Sequence, residues 1–123
     1  MAGTPDDVSR AMVRLLAEGD LDGIEALYDP DAVFVETSGV STGWPSIRAA
    51  LSGFVASGAR LELKDAVTYE AGDLALVHWS WEVRFEDGGR LEGASAEVLR
   101  RNESGSWVFV IDNSDGADMI GRR

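Results

Sequence analysis

Between Gly58 and Leu61 the spacing of apolar side chains changes from threes and fours to twos, and this switch restricts the architectures open to the chain. Before it, Val8, Met12, Leu15 and Leu16 recur at helical spacing, with Ser9, Arg10, Arg14 and Glu18 mostly off that stripe. Thr4-Pro5-Asp6-Asp7 opens this helix with a capping hydroxyl, a proline in the first turn and two acids at the positive end of the dipole. Gly19 stops it and Asp20 caps a short second helix carrying Leu21, Ile24, Leu27 and Tyr28, which Asp29-Pro30 cuts off. A brief strand is expected at 32–35 and a loop at 38–43. A third helix then follows, with Trp44 and Pro45 at its mouth and a stripe of Ile47, Leu51, Phe54 and Val55.

Beyond the switch, Leu61, Leu63, Val67 and Tyr69 mark a strand broken near Asp65. The longest strand, 74–85, separates its faces well: Ala75, Val77, Trp79, Trp81, Val83 and Phe85 against Leu76, His78, Ser80, Glu82 and Arg84. Asp87-Gly88-Gly89 is a hairpin turn, 91–101 returns antiparallel, and 107–113 forms the last strand. Helices first and a meander of strands afterwards imply an α+β fold, with three N-terminal helices on one face of an antiparallel sheet. The expected organisation is one domain over 1–114 and a loose tail over 115–123.

Charge and composition exclude several functions. The formal net charge of -11 repels phosphate backbones and anionic lipid, so neither nucleic acid nor membrane is an expected partner. The absence of cysteine excludes disulfides and thiolate chemistry, and a single histidine excludes multi-histidine metal sites, so no metal or other cofactor is expected. Asp20-x-Asp22 and Asp29-x-Asp31 have the wrong spacing for a calcium loop and are better explained by capping. No apolar run reaches the length of a membrane span, and Met1-Ala2-Gly3-Thr4-Pro5-Asp6-Asp7 lacks a signal peptide's basic and apolar regions; a soluble, cytoplasmic protein is expected.

Gly19-Asp20-Leu21-Asp22, the run from Leu27-Tyr28-Asp29-Pro30 to Val33, the helix start from Gly43 to Leu51 and the run from Trp107 to Asn113 resemble the nuclear transport factor 2-like superfamily. This is the cone-shaped fold of ketosteroid isomerases and SnoaL-like polyketide cyclases, and the resemblance covers nearly the whole chain. It implies a curved sheet with the helices on its concave face, a pocket for an apolar small molecule, and a homodimer paired through outer strand faces. The same fold hosts enzymes, binding modules and assembly domains.

The resemblance implies site residues as well. Glu36 falls where ketosteroid isomerases place their proton-shuttling aspartate, and Glu97 lies near the protonated acid that serves them as an oxyanion donor. The place of their second donor, a tyrosine on the first helix, is taken by Met12, which cannot donate a hydrogen bond and tells against steroid isomerisation itself. Asp112 is a third candidate carboxylate, on the smaller-residue face of the last strand with Val108 and Val110. Three carboxylates in one apolar pocket would retain at least one proton near neutral pH, supplying an acid and a base together. The competing readings are a solvated strand end for Glu36, a surface acid for Glu97 and a strand-end acid for Asp112.

The expected substrate-binding residues are Met12, Tyr28, Trp44 and Phe54 from the helical half, with Trp79, Trp81 and Val110 from the strands. The tryptophans on the long strand read equally as sheet-on-helix core, and Trp44 as a staple of its turn. His78 is expected at the surface or a subunit interface. Two function classes follow: a cofactor-independent isomerase, cyclase or dehydratase acting beside a carbonyl, and a non-catalytic binding or assembly module.

Overall fold

The computed structural model describes residues 3–120. The capping signals act as the sequence suggests. α1 (Pro5–Glu18) begins with a reciprocal capping box, in which the Asp7 N–H donates to Thr4 Oγ1 and the Thr4 N–H to the Asp7 carboxylate, and it ends on Gly19 at φ 69°. α2 (Leu21–Glu25) is capped by Asp20, whose side chain accepts from the Gly23 N–H at 2.9 Å. It is shorter than expected, because Leu27 and Tyr28 already turn into the first strand.

That strand, β1 (Tyr28–Glu36), runs straight through Asp29-Pro30. Proline is tolerated because the pairing with the last strand shifts register between Tyr28 and Val33, so no ladder bond is required of it. The expected loop at 38–43 is instead β2 (Gly39–Thr42), an antiparallel partner of β1. Glu36 therefore pairs with Gly39 beside a tight turn and does not run out into a loop. α3 (Trp44–Ala56) follows, with Trp44 packed on the Tyr28 ring at 5.8 Å.

Four longer strands and one short one complete the sheet: β3 (Arg60–Ala71), β4 (Leu74–Arg84), β5 (Arg90–Ala94), β6 (Ala96–Arg101) and β7 (Trp107–Asn113). Their order is β2-β1-β7-β6-β4-β3, with β5 alongside the far end of β4. The architecture is the α+β cone expected, three helices against a curved seven-stranded sheet. One pair departs from the antiparallel expectation: β1 and β7 run parallel, making the sheet mixed. The expected strand 91–101 is divided at Ser95 between β5 and β6.

Two bulges decide which side chains face inward. On β3, Leu63 pairs with Trp81 and Asp65 with Ser80, so Lys64 is the extra residue. Leu61 and Leu63 point inward before it, whereas Val67 and Tyr69 beyond it are 50% and 62% exposed. On β7, Phe109 pairs with Leu99 and Ile111 with Val98, leaving Val110 as the extra residue. Phe109 and Asp112 consequently share the inner face, which strict alternation would forbid.

The core joins α1, α2 and α3 to the inner sheet face through Val8, Ile24, Ile47, Val77 and Leu99, all fully buried. Within the expected tail, Gly116–Met119 forms a single 3-10 turn. The Asn113 side chain accepts from the N–H groups of Asp115 and Gly116 there, and Trp81 Nε1 donates to the Ser114 carbonyl at 2.7 Å. Any Cβ on Gly116 would meet the Ala94 carbonyl at 2.8 Å, so this turn lies directly on β5. Residues 121–123 of the expected tail, and Met1-Ala2 of the expected leaderless start, lie outside the described residues. Among the described residues no helix is long and apolar enough to cross a membrane.

Candidate active site

Between α1, α3 and the inner face of the sheet lies a cavity of about 270 Å³. Its walls are apolar: Met12, Val13 and Leu16 from α1, Leu51 and Phe54 from α3, Leu61 and Leu63 from β3, Trp81 and Val83 from β4. Three lining residues are well exposed, Thr37, Phe85 and Leu91, and they mark its opening. Among the described residues that line it, none is Lys, Arg or His.

The three sequence-derived carboxylates, Glu36, Glu97 and Asp112, all line this one cavity. Glu97 and Asp112 are cross-strand partners on β6 and β7, 4% and 9% exposed. Ser95, Glu97 and Leu99 are buried together, which resolves the direction of Glu97 as inward. Burial, and next the facing Asp112 carboxylate, push the Glu97 carboxyl up to about 8, against an opposing hydrogen bond with Ser95. Burial also lifts Asp112, to about 6, opposed by the Tyr28 hydroxyl, which donates to Asp112 Oδ2 at 2.6 Å. Tyr28 is itself held well above its ordinary value, first by burial and then by the Asp112 charge. Burial raises both carboxyls and the repulsion between them raises Glu97 further, so near neutral pH the pair retains a proton between them, with the phenol hydrogen-bonded to Asp112.

Glu36 differs from this pair. It is partly exposed at the end of β1 and accepts a hydrogen bond from Ser38 Oγ at 3.0 Å. Its place beside exposed Thr37 puts a carboxylate near the opening, whereas Glu97 and Asp112 sit among buried neighbours.

The expected binding residues divide. Met12, Phe54 and Trp81 line the cavity; Tyr28, Trp44, Trp79 and Val110 do not. Tyr28 and Trp44 stand behind the carboxylate pair, where Tyr28 packs on Phe109 at 5.0 Å and orients Asp112. Trp79 belongs to the core, with the Arg10 guanidinium 5.8 Å from its ring. Val110 is removed from the lining by being the bulge residue itself. Most of the other lining residues escaped the sequence reading as site residues, among them Ser95, whose position follows from the break between β5 and β6, and Ser9. The signal for Ser9 was present, since Ser9, Met12, Val13 and Leu16 recur at i, i+3, i+4 and i+7 and all line the cavity.

Residues 9–110 match the family model of the SnoaL-like domain. No curated protein matches the sequence significantly. Among solved structures, a nuclear transport factor 2-like protein of unknown function from Pseudomonas putida is 20% identical with a TM-score of 0.77, over 89% of this chain and 82% of that one. A candidate ketosteroid isomerase from Shewanella frigidimarina is 14% identical with a TM-score of 0.77, over 86% and 89% of the respective chains. A candidate calcium/calmodulin-dependent protein kinase type II association domain from Thiobacillus denitrificans is 17% identical with a TM-score of 0.77, over 92% and 94%. At these identities the likeness is one of fold.

Proposed function

This chain is a member of the SnoaL-like domain family, and from that premise we propose that it binds a neutral, largely apolar carbonyl compound and transfers protons on it with its own carboxylates. The observation that carries this reading is the Glu97–Asp112 pair, two buried acids facing each other across β6 and β7 in an apolar cavity that Glu36 also lines. A cavity lined, among the described residues, by four acids and no basic side chain disfavours anionic substrates and accepts a flat neutral body against Phe54 and Trp81.

Glu36 acts as the base. Its carboxylate takes a proton from the carbon beside the carbonyl, the C–H electron pair becomes the new C=C bond, and the carbonyl π pair moves onto oxygen. Glu97 donates its hydrogen bond to that oxygen as charge develops, while Asp112, held by Tyr28, keeps the proton on Glu97. Return of the proton to a different carbon isomerises a double bond; attack of the carbanion on a second carbonyl of the same molecule closes a ring. The test is hydrogen–deuterium exchange of β-tetralone, an enolisable bicyclic ketone, followed by NMR in heavy water. Glu36→Gln should lose the exchange by at least about a hundredfold while still binding the ketone. Full exchange by the variant, or none above buffer by the parent protein, removes the reading.

A second reading, assembly through the outer sheet face, is favoured by one specific observation. Tyr69, Leu76, Val98 and Ile111 are successive cross-strand partners on β3, β4, β6 and β7, and Tyr69, Leu76 and Ile111 are each exposed. Such an apolar row fits a homodimer, with His78 exposed alongside it. The association-domain name of the Thiobacillus relative is in keeping with this. Leu76→Lys should convert a dimer into a monomer in light scattering; an unchanged mass would place the interface elsewhere.

A further inference from the structure

Gly93 stands inside β5, where glycine weakens a strand and commonly marks a close approach by another group. Its φ is not positive, so the backbone conformation itself does not call for glycine. The reason is Trp81, its cross-strand partner on β4. A Cβ on Gly93 would meet Trp81 Cζ2 at 2.4 Å, Cε2 at 2.8 Å and Cη2 at 3.0 Å. Those distances fit a point above the ring plane and not one beside its edge, so the indole lies flat on Gly93. Its direction is fixed by Nε1, which donates to the Ser114 carbonyl at 2.7 Å. Leu91 and Ser95, two positions to either side of Gly93 on the same face, both line the cavity, whereas at Gly93 the indole takes that place. One face of the ring therefore rests on the sheet, and the other is turned to the interior.

We propose that Gly93 is a positioning residue for ligand specificity: by letting Trp81 lie flat on the sheet, it sets the clearance between the indole and the helix walls, and with it the thickness of ring body the cavity admits. The inference rests on the reading of the cavity as a site for a neutral carbonyl compound. An ordinary carbon–carbon contact is about 3.5 Å, so a Cβ at Gly93 would lift the ring into the cavity by roughly 1 Å. Ring and Cβ share the inner face, so the sheet leaves the indole no other direction in which to move. A saturated ring is thicker than an aromatic one, and the lost clearance therefore falls hardest on a ligand whose rings are saturated.

The experiment compares β-tetralone with β-decalone by calorimetric titration, two bicyclic ketones of one skeleton that differ in whether the second ring is aromatic or saturated. The parent protein should bind both. Gly93→Ala should weaken β-decalone about tenfold more than β-tetralone. Trp81→Phe in the Gly93→Ala background removes the outer ring that the new Cβ meets, and should restore the parent ratio. Trp81→Phe alone adds clearance and should shift the ratio the opposite way, which keeps the test decisive if Gly93→Ala does not fold. An equal loss of both ketones would assign Gly93 to stability and overturn the proposal. So would an unchanged ratio in either single variant, or failure of the parent protein to bind either ketone. The ratio is read from binding and not from turnover. Full exchange by Glu36→Gln would thus remove the base and leave Gly93 standing, whereas an unaltered ratio would remove Gly93 and leave the base.

Discussion

Glu82 and Glu97 are similarly screened from solvent, 1% and 4% exposed, and each faces acid across the ladder. Glu82 pairs with Glu62 on one side and Glu92 on the other, while Glu97 pairs with Asp112. Their surroundings then diverge. On the outer face, Lys64 reaches a Glu82 oxygen at 3.0 Å, with Arg84 at 3.0 Å and Arg90 at 3.4 Å from the other. Hydrogen bonds from Lys64 and Arg84 hold that carboxyl below its ordinary value. On the inner face no cation among the described residues lines the cavity, and burial with the facing Asp112 drives Glu97 the other way. Glu82 is covered by its partners' side chains, so its shelter supplies neutralisation; Glu97 is covered by apolar walls and must keep its proton. Solvent exposure alone therefore does not decide the charge of a carboxylate; the groups that cover it do.

The comparison breaks most sharply in turnover. Glu97→Met keeps the volume and removes the donor, and should lower tetralone exchange by about a hundred- to a thousandfold, the range for a lost oxyanion donor. Glu82→Gln should leave it unchanged; equal losses in both would mean that the inner acid acts only through stability.

The pH dependence of thermal unfolding should be of opposite sign for the two residues. Glu97 has a folded value near 8 against an ordinary 4.5, so its protonated form contributes stability that is complete below 4.5 and is lost as pH rises to about 8. Glu82 is lowered from 4.5, so its contribution is present above 4.5 and lost as pH falls through the folded value. Melting temperatures across the range should therefore show Glu97→Met flattening the alkaline side and Glu82→Gln the acid side. The reverse assignment would refute the account of both sites.

A smaller effect tests how the inner pair divides its proton. Tyr28→Phe removes a buried hydrogen bond to a charged group, worth about 1.5–3 kcal/mol, and should raise the Asp112 value further, since the phenol now opposes the rise. Titration followed by carboxyl NMR shifts would show it; an unmoved Asp112 would mean that the phenol does not hold the charge.

Much of this arrangement is legible in the residues, and the illegible part has one main cause. Thr4, Gly19 and Asp20 announce their caps because capping is local chemistry within a few residues. Glu97 is legible through the alternation of Ser95, Glu97 and Leu99, which no bulge interrupts. Alternation groups Val110 with Asp112, however, and sets Phe109 apart, because a bulge is one unremarkable residue in sequence and a change of face in space. On β3, by contrast, the expected break near Asp65 is the bulge at Lys64, which sets Val67 and Tyr69 on the face opposite Leu61 and Leu63. The strand at Gly39–Thr42 is not legible because its Gly-Val-Ser-Thr composition looks like a loop, although it pairs with β1 across a turn of only two residues.

Lys64 and Val110 therefore act as two hinges of inheritance between the cavity and the molecule's outer wall. If β7 slipped so as to absorb Val110, Ile111 would turn inward and Asp112 outward, replacing a proton carrier with an aliphatic patch and planting a charge among the outer apolar side chains. If β3 absorbed Lys64, Asp65 would enter the interior and Tyr69 would leave the outer row. Insertions or deletions near either position would thus alter the cavity lining and the outer apolar row in a single step, and a lineage that changed one of these surfaces there would change the other with it.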